Sequence, residues 1–433
     1  MLLAVQFGYY SGVIAGAFVD YLPNLVSFLV AAGLSLVSFG GLAYAMSTDF
    51  ELGWQLLTVL LFFLAGLSAS IATICSIVTI IKNFGRKVSV LLVAILVTYM
   101  KTASAFDNAI KDAFMPEADD SVYLVISGVY VSLGILIGAF TMRKVELGKF
   151  LEAISKGADP TGASVYIVVC ALYFFCFWLF HEELELKGLS VVCTIFFLVL
   201  NFLILGLAVF LIYLKVKGGA KPSLSDMTSK DKEYTLGEMF KMPKYIFLLI
   251  ATMLVVGTCY SYSEQMVRLA FEAGAIGSID FAGDMFWLFD ALARFGGGCL
   301  AYFVYEKVNG YFFMMIYAIT NIIGCLFIFI IIVVDLDGAF FTVIPAVVMG
   351  LAVGGFWVTV PQVLIDDAGD KNYGMIWGFA ILFNFIGIFG FDTLIYFIDL
   401  QFLASLLFVL FAITAFVMTI LAWKDDEKTG KKK

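Results

Sequence analysis

The sequence predicts an all-α polytopic membrane protein built as a two-lobed bundle, and three observations carry that prediction. Apolar residues make up 62% of the 433-residue chain and charged residues only 14%, whereas soluble domains are about half apolar and about a quarter charged. The apolar residues gather in thirteen runs of spanning length, about 20 residues each. The loops between those runs alternate in their content of lysine and arginine.

The runs fall at 1–19, 25–46, 54–81, 88–106, 122–142, 164–180 and 189–214, then at 245–271, 280–304, 312–334, 339–361, 374–397 and 403–423. Each is apolar throughout and none alternates with period two, so helices are expected rather than barrel strands. The first run has no basic lead and no cleavage site behind it, so it reads as a spanning helix and not as a signal peptide.

The loops set an expected orientation. One set holds Lys82, Arg86 and Lys87, then Arg143, Lys144, Lys149 and Lys156, then seven lysines in 215–244, then Lys307, Lys371 and the tail. Those segments hold 21 of the 26 basic residues, while the opposite loops hold only Lys111 and Lys187. Positive charge marks the cytoplasmic side, so the C-terminus and the 215–244 loop are expected inside and Met1 outside.

The chain repeats itself in parallel. Gly8, Gly12, Gly16 and Asp20 recur at four-residue spacing, as do Arg294, Gly298, Tyr302 and Glu306 at the same end of a later run. Gly66-Leu67 precedes Gly85 by the interval that separates Gly350-Leu351 from Gly369. Parallel repeats about an axis normal to the membrane point to two-lobed transporters. The pairing also leaves the first half one helix short. The expected domains are a first lobe at 1–145, an extra hairpin within 146–214, a cytoplasmic linker at 215–244, a six-helix lobe at 245–423 and a charged, solvated tail at 424–433 near anionic headgroups. An upstream helix, another chain or lipid is expected to fill the gap, or else the 164–214 hairpin does.

The segments GVIAGAFVDYLPNLVSFLVAAGLSLVSFGG and IVTIIKNFGR resemble the nodulin-like branch of the major facilitator superfamily. Gly16 and Asp20 match what that resemblance makes a cytoplasmic gating motif, although Tyr21, Leu22, Pro23 and Asn24 replace its usual basic residues. FDALARFGGG is similar to the eighth helix of monocarboxylate transporters, which carries an Asp and an Arg four apart. The resemblance implies twelve core helices in two lobes, a central site and alternating access, with Gly298 and Glu306 as motif positions in the second half.

The candidate site starts from charges at bilayer depth, which are costly and mark function, pairing or pathways. Asp290 and Arg294 lie on one helix face, four residues apart, about 15 Å along a run that starts near Asp280. Two readings stand: an anion-binding, proton-exchanging pair, or a neutralised pair that locks helices. Gly296, Gly297 and Gly298 are expected to admit a second backbone. Tyr260, Glu264 and Arg268, with Gln265 beside them, form a second stripe, either an outer vestibule or an interfacial ion pair. Lys101 could attract an anion, pair with Asp107 or Asp290, or snorkel outward. Asn201, Asn321 and Asn384 are mid-run amides expected to glue helices, with Asn384 kept as a binding candidate. Trp357 and Trp377 read as interface or core aromatics.

No phosphate loop, metal-ligand spacing or nucleophile–base motif occurs in the sequence. The seven cysteines fall inside apolar runs and read as core residues, and His181 is the single histidine. Neither enzyme activity, a cofactor, a metal nor nucleic acid is expected. The expected function is secondary transport of a small organic anion with protons; the rival is a transport-inactive membrane subunit, receptor or scaffold of the same fold. A tag placed at Lys230 is expected to react only from the cytoplasmic face of intact cells, and labelling from outside would overturn the orientation.

Overall fold

The computed structural model describes residues 2–47, 52–83, 89–98, 100–101, 111, 119–141, 234–272, 274, 279–304, 308–334, 336, 338–369, 371–398 and 401–430. The 164–214 hairpin, Asn201 and most of the 215–244 linker lie outside the described residues. The elements are α1 (Leu2–Tyr10), α2 (Gly12–Tyr21), α3 (Asn24–Met46), α4 (Leu52–Asn83), α5 (Ser89–Thr98), α6 (Asp120–Thr141), α7 (Leu236–Met239) and α8 (Pro243–Glu272). They continue with α9 (Ile279–Val304), α10 (Gly310–Val334), α11 (Ala339–Ala368), α12 (Tyr373–Phe397) and α13 (Gln401–Gly430).

Among the described residues, eight helices are long and apolar enough to cross a membrane: α3, α4, α6, α8, α10, α11, α12 and α13. At 26 residues α9 is equally long, but Asp280, Asp284, Asp290 and Arg294 make it too charged to read as an ordinary span. The run at 1–19 is not one rod. It breaks at Ser11, whose ψ of 40° leaves the helical region and whose hydroxyl donates to the Phe7 carbonyl at 2.6 Å. A serine that bonds back to the preceding turn bends a helix, and Gly8 and Gly12 on either side offer little resistance.

The exposed faces confirm the solvent for which the chain is built. Val37 on α3, Leu133 and Ile137 on α6, Ile330 on α10 and Leu410 on α13 are large, apolar and exposed. Water would penalise such faces and lipid would not. The protein is an integral, multi-pass membrane protein.

The described chain clusters into two units, Met1–Glu233 with Gly369–Phe379, and Tyr234–Ala368 with Ala380–Lys433. In the first, α3 packs on α4 and α6, and α1 packs on α4. In the second, α9 and α10 pack on α11, and α13 packs on α8 and α10. Both α8 and α11 are central: 72% of the apolar window of each is buried, against 28% for α10.

The repeat read from the sequence has a structural basis. In the first unit Gly66 of α4 lies against the Val5 carbonyl and the Tyr9 amide of α1. In the second, Gly350 of α11 lies against the Phe286 carbonyl and the Asp290 amide of α9. Each glycine meets a carbonyl and the amide four residues on, the approach that a side chain would block.

Two polar segments are not featureless. Leu236–Met239 form a short helix opened by a capping box, the Glu238 amide donating to the Thr235 hydroxyl and the Thr235 amide to the Glu238 carboxylate. The Thr235 hydroxyl also donates to that carboxylate at 2.9 Å, and the bonds from the Thr235 amide and hydroxyl hold the Glu238 carboxyl below its ordinary range. Pro243 then opens α8 as a first-turn residue that needs no N–H partner.

Nor is the start of the tail simply solvated, because α13 runs on to Gly430. Lys244 Nζ bridges Asp367 and Asp426, the latter at 2.9 Å, and its amide donates to Asp425 at 3.2 Å. Tyr311 donates its hydroxyl to Asp367 at 2.8 Å and Asn309 its side-chain amide to Asp426 at 3.0 Å. The starts of α8 and α10 and the ends of α11 and α13 are thereby tied together.

Breaking a buried ion pair by removing one partner costs roughly 3–5 kcal/mol. Lys244→Met is therefore expected to lower the melting temperature of the detergent-solubilised protein by several degrees. Deleting residues 425–433 is expected to cost less, because Asp426 is 27% exposed and solvent screens it.

Candidate functional site

The site grows from the middle of α9, where Asp290 and Arg294 follow one another by a single turn. Arg294 Nε donates to Asp290 Oδ1 at 2.6 Å and Nη2 donates to Oδ2 at 3.0 Å, a two-point contact. The same Nη2 donates to the hydroxyl of Tyr260, on α8, at 3.0 Å. The ring of Trp357, on α11, faces the guanidinium carbon at 5.1 Å, within cation–π range. Asp290 is 0% exposed and Arg294 4%.

Glycines on α11 make this possible. A side chain at Gly354 would strike the Asp290 carbonyl, and its Cβ would come within 2.9 Å of the Ala293 Cβ. With Gly350 one turn earlier, the backbones of α9 and α11 touch, and Trp357, three residues past Gly354, reaches Arg294. Of the glycines expected to do this on α9, Gly296 and Gly297 do not. A Cβ on Gly296 would meet open space, and one on Gly297 would lie 2.7 Å from the Tyr317 hydroxyl.

An aromatic wall adjoins the pair. Trp287 packs edge-on against Phe286 at 4.9 Å, and Tyr260 lies 5.9 Å from Trp287 and 6.2 Å from Phe286, between ring centroids. Phe286 is buried, while Tyr260 and Trp287 are half-buried. Behind the pair, Asn321 of α10 donates to the Thr258 hydroxyl at 3.1 Å and its Oδ1 accepts from the thiols of Cys259 and Cys325 at 3.4 and 3.7 Å. That amide ties α8 to α10, as glue.

The remaining sequence candidates separate. Of the α8 stripe, Tyr260 joins the pair; Glu264, Gln265 and Arg268 lie one to two turns further on, roughly 6–12 Å along the helix. Glu264 is exposed, and Gln265 and Arg268 are half-buried. Asn384 is 1% exposed, and its Oδ1 has no hydrogen-bond partner among the described residues. The glue role expected for it is not met at that atom. Lys101 is half-buried and belongs to the first unit.

Trp357 is a buried core aromatic, as expected, and its ring also lies over the guanidinium. Trp287 is a further residue of the site, and its spacing of three and seven residues before Asp290 and Arg294 puts all three on neighbouring faces of α9. The meeting with Tyr260 and Trp357 has no sequence signal, because those residues come from other helices.

A second constellation uses motif residues. The Asp20 carboxylate accepts from the amides of Gly374 and Met375 at 3.1 and 2.7 Å, so it sits on the N-terminus of α12, where a helix favours negative charge. Gly12 and Gly16 of α2 face Gly378 and Gly374 of α12 so closely that a Cβ on Gly12 would lie 2.5 Å from the Gly378 carbonyl oxygen. Gly298 is buried within α9, and Glu306 lies outside the described residues.

Residues 1–212 match the family model described as Nodulin-like. No curated protein sequence matches the chain. Among solved structures, a double tryptophan mutant of XylE aligns at 14% identity and TM-score 0.61, covering 98% of this chain and 84% of XylE. XylE bound to 6-bromo-6-deoxy-D-glucose, described as a proton:xylose symporter, aligns with TM-score 0.55 at 14% identity over the same shares. The fucose:proton symporter FucP of E. coli aligns with TM-score 0.50 at 15% identity, covering 97% of this chain and 89% of FucP. These likenesses establish the major facilitator fold.

Because Asp290 compensates a buried cation, Asp290→Ala is expected to cost roughly 3–5 kcal/mol, seen as a lower melting temperature in detergent. Asp290→Ala combined with Arg294→Leu is expected to recover most of that loss. Additive losses in the double variant would mean that the two residues do not act as a pair.

Proposed function

We propose that this chain, nodulin-like over residues 1–212 and of the major facilitator fold, is a secondary active transporter that moves a small organic anion with protons by alternating access. The observation that carries the reading is the Asp290–Arg294 pair, buried in the middle of a helix and tied to Tyr260. A charge pair kept at that depth at the expense of desolvation has a reason to be there. The sugar:proton symporters that share the fold support proton coupling in general, and the carboxylate substrate is argued from Arg294 alone.

The chemistry is an exchange of partners. A planar guanidinium matches a carboxylate in a two-point contact. A solute carboxylate approaching Nη2 competes with Asp290 and with the Tyr260 hydroxyl. An aspartate that gives up its cation inside an apolar bundle takes up a proton, since the charged form is no longer compensated. Binding of the anion and protonation of Asp290 are then linked, and both are released when the site opens on the other side. Within the second unit Glu264, Gln265, Arg268 and Asn384, whose buried Oδ1 has no partner among the described residues, extend the polar path, and Lys101 is the cationic candidate of the first unit. Asp20 on the start of α12, with Gly16, acts as a gating contact, and Gly298 and Glu306 are the corresponding positions on the second repeat.

The same proposal assigns the lobes to 1–145 and 245–423, the hairpin to 146–214, the linker to 215–244 and a cytoplasmic tail to 424–433. It orients the C-terminus to the cytoplasm.

Uptake of labelled carboxylates into liposomes holding the purified protein tests the function. Arg294→Ala is expected to abolish uptake, and Asp290→Asn to leave exchange but remove its dependence on a proton gradient. Full, gradient-driven uptake in both variants would overturn the proposed roles. No uptake of any solute by the folded wild-type protein would favour a scaffold or receptor.

A further inference from the structure

We infer that Trp287, together with Tyr260, selects the solute: the site takes a carboxylate carried on a flat apolar group, such as an aromatic ring, in preference to a small hydroxylated acid. This rests on the anion reading of Arg294 and goes a step beyond it.

Selection turns on what surrounds Nη2 of Arg294. That nitrogen serves two acceptors, Asp290 Oδ2 and the Tyr260 hydroxyl, both at 3.0 Å. Asp290 is 0% exposed, while Tyr260 is half-buried. Of the two acceptor residues, Tyr260 is therefore the one with surface left open. A carboxylate that takes a place on Nη2 displaces or adjoins the Tyr260 hydroxyl, and whatever the carboxylate is attached to lies beside the Tyr260 ring.

Beside that ring stands Trp287, with centroids 5.9 Å apart and planes tilted by 34°. Trp287 is itself half-buried and is held from behind by the fully buried Phe286, edge to face at 4.9 Å. A ring supported in this way is fixed in orientation, and a fixed aromatic face favours another flat apolar group through stacking and burial. A sugar acid or a short hydroxy acid in the same place would put hydroxyls against carbon, where they would lose water without gaining partners. The fourth aromatic, Trp357, already lies over the guanidinium, so it orients Arg294 and leaves the discrimination to Trp287 and Tyr260.

The test compares two acids of equal charge, phenylacetate and lactate, as substrates of the full chain in liposomes. Phenylacetate is expected to show a kcat/KM about two- to tenfold above that of lactate, the scale of one good aromatic contact. Trp287→Leu is expected to bring that ratio toward parity by raising the KM for phenylacetate, and Trp287→Phe to keep most of it. Equal handling of the two acids by the wild-type protein would overturn the inference while leaving the anion reading in place. So would a ratio unmoved by Trp287→Leu, and, if that variant does not fold, a ratio unmoved by Trp287→Gln. Transport of neither acid, nor of any other carboxylate, would overturn the anion reading itself.

Discussion

A guanidinium and a carboxylate inside an apolar bundle are tolerable only while they compensate each other, and much of the second unit is shaped by that requirement. The attraction of Arg294 for Asp290 has to offset the loss of water around both, and it does so only with good geometry and with further hydrogen bonds on the remaining donors. Both conditions are met. The contact is two-pointed, Tyr260 takes a further bond from Nη2, and Trp357 lies over the guanidinium. The arrangement is stable as it stands, yet each partner could be exchanged for a solute group of the same chemistry, which is what a binding site requires.

Close backbone packing is the second condition, and it appears in both units. Helices in lipid gain little from the hydrophobic effect on association, so contact area and close approach count for more. Gly66 against Val5 and Tyr9, and Gly350 against Phe286 and Asp290, are one packing solution used in each unit. The difference lies in what the packing carries. Where the second unit holds Asp290 at the amide contacted by the glycine, the first holds Tyr9, so the two units share a frame while only one has the ion pair at that place.

The ends of the helices follow the same accounting for polar groups. Free amides at a helix start need acceptors, and here acids supply them: Asp20 serves the first turn of α12, and Asp425 serves Lys244 at the start of α8. Asp367 and Asp426 share the Lys244 ammonium, and Tyr311 and Asn309 satisfy their remaining oxygens. The last turns of α13 therefore belong to the packed second unit.

Residues 280–304 show how far the amino-acid order could lead and where it had to stop. That this segment is a helix with Asp290 and Arg294 on one face was legible, because helical spacing is a local property and charge in an apolar run is conspicuous. Membrane insertion, the long runs and the glycine repeat were legible for the same reason. The partners of the pair were not. Tyr260 can be placed on its own helix but not against Arg294, Trp357 reads as a core or interface ring without its place over the guanidinium, and nothing local singles out Trp287. The glycines that bring the backbones together are Gly350 and Gly354 rather than Gly296 or Gly297, since whether a small residue faces a neighbour depends on helix rotation. The Lys244 cluster was hidden too, its members being separated by 123 and 182 positions. The sequence by itself determined the helices, their burial in lipid and the presence of a charge pair. Which side chains meet that pair is a matter of how separate helices turn and pack, and only the tertiary structure decided it.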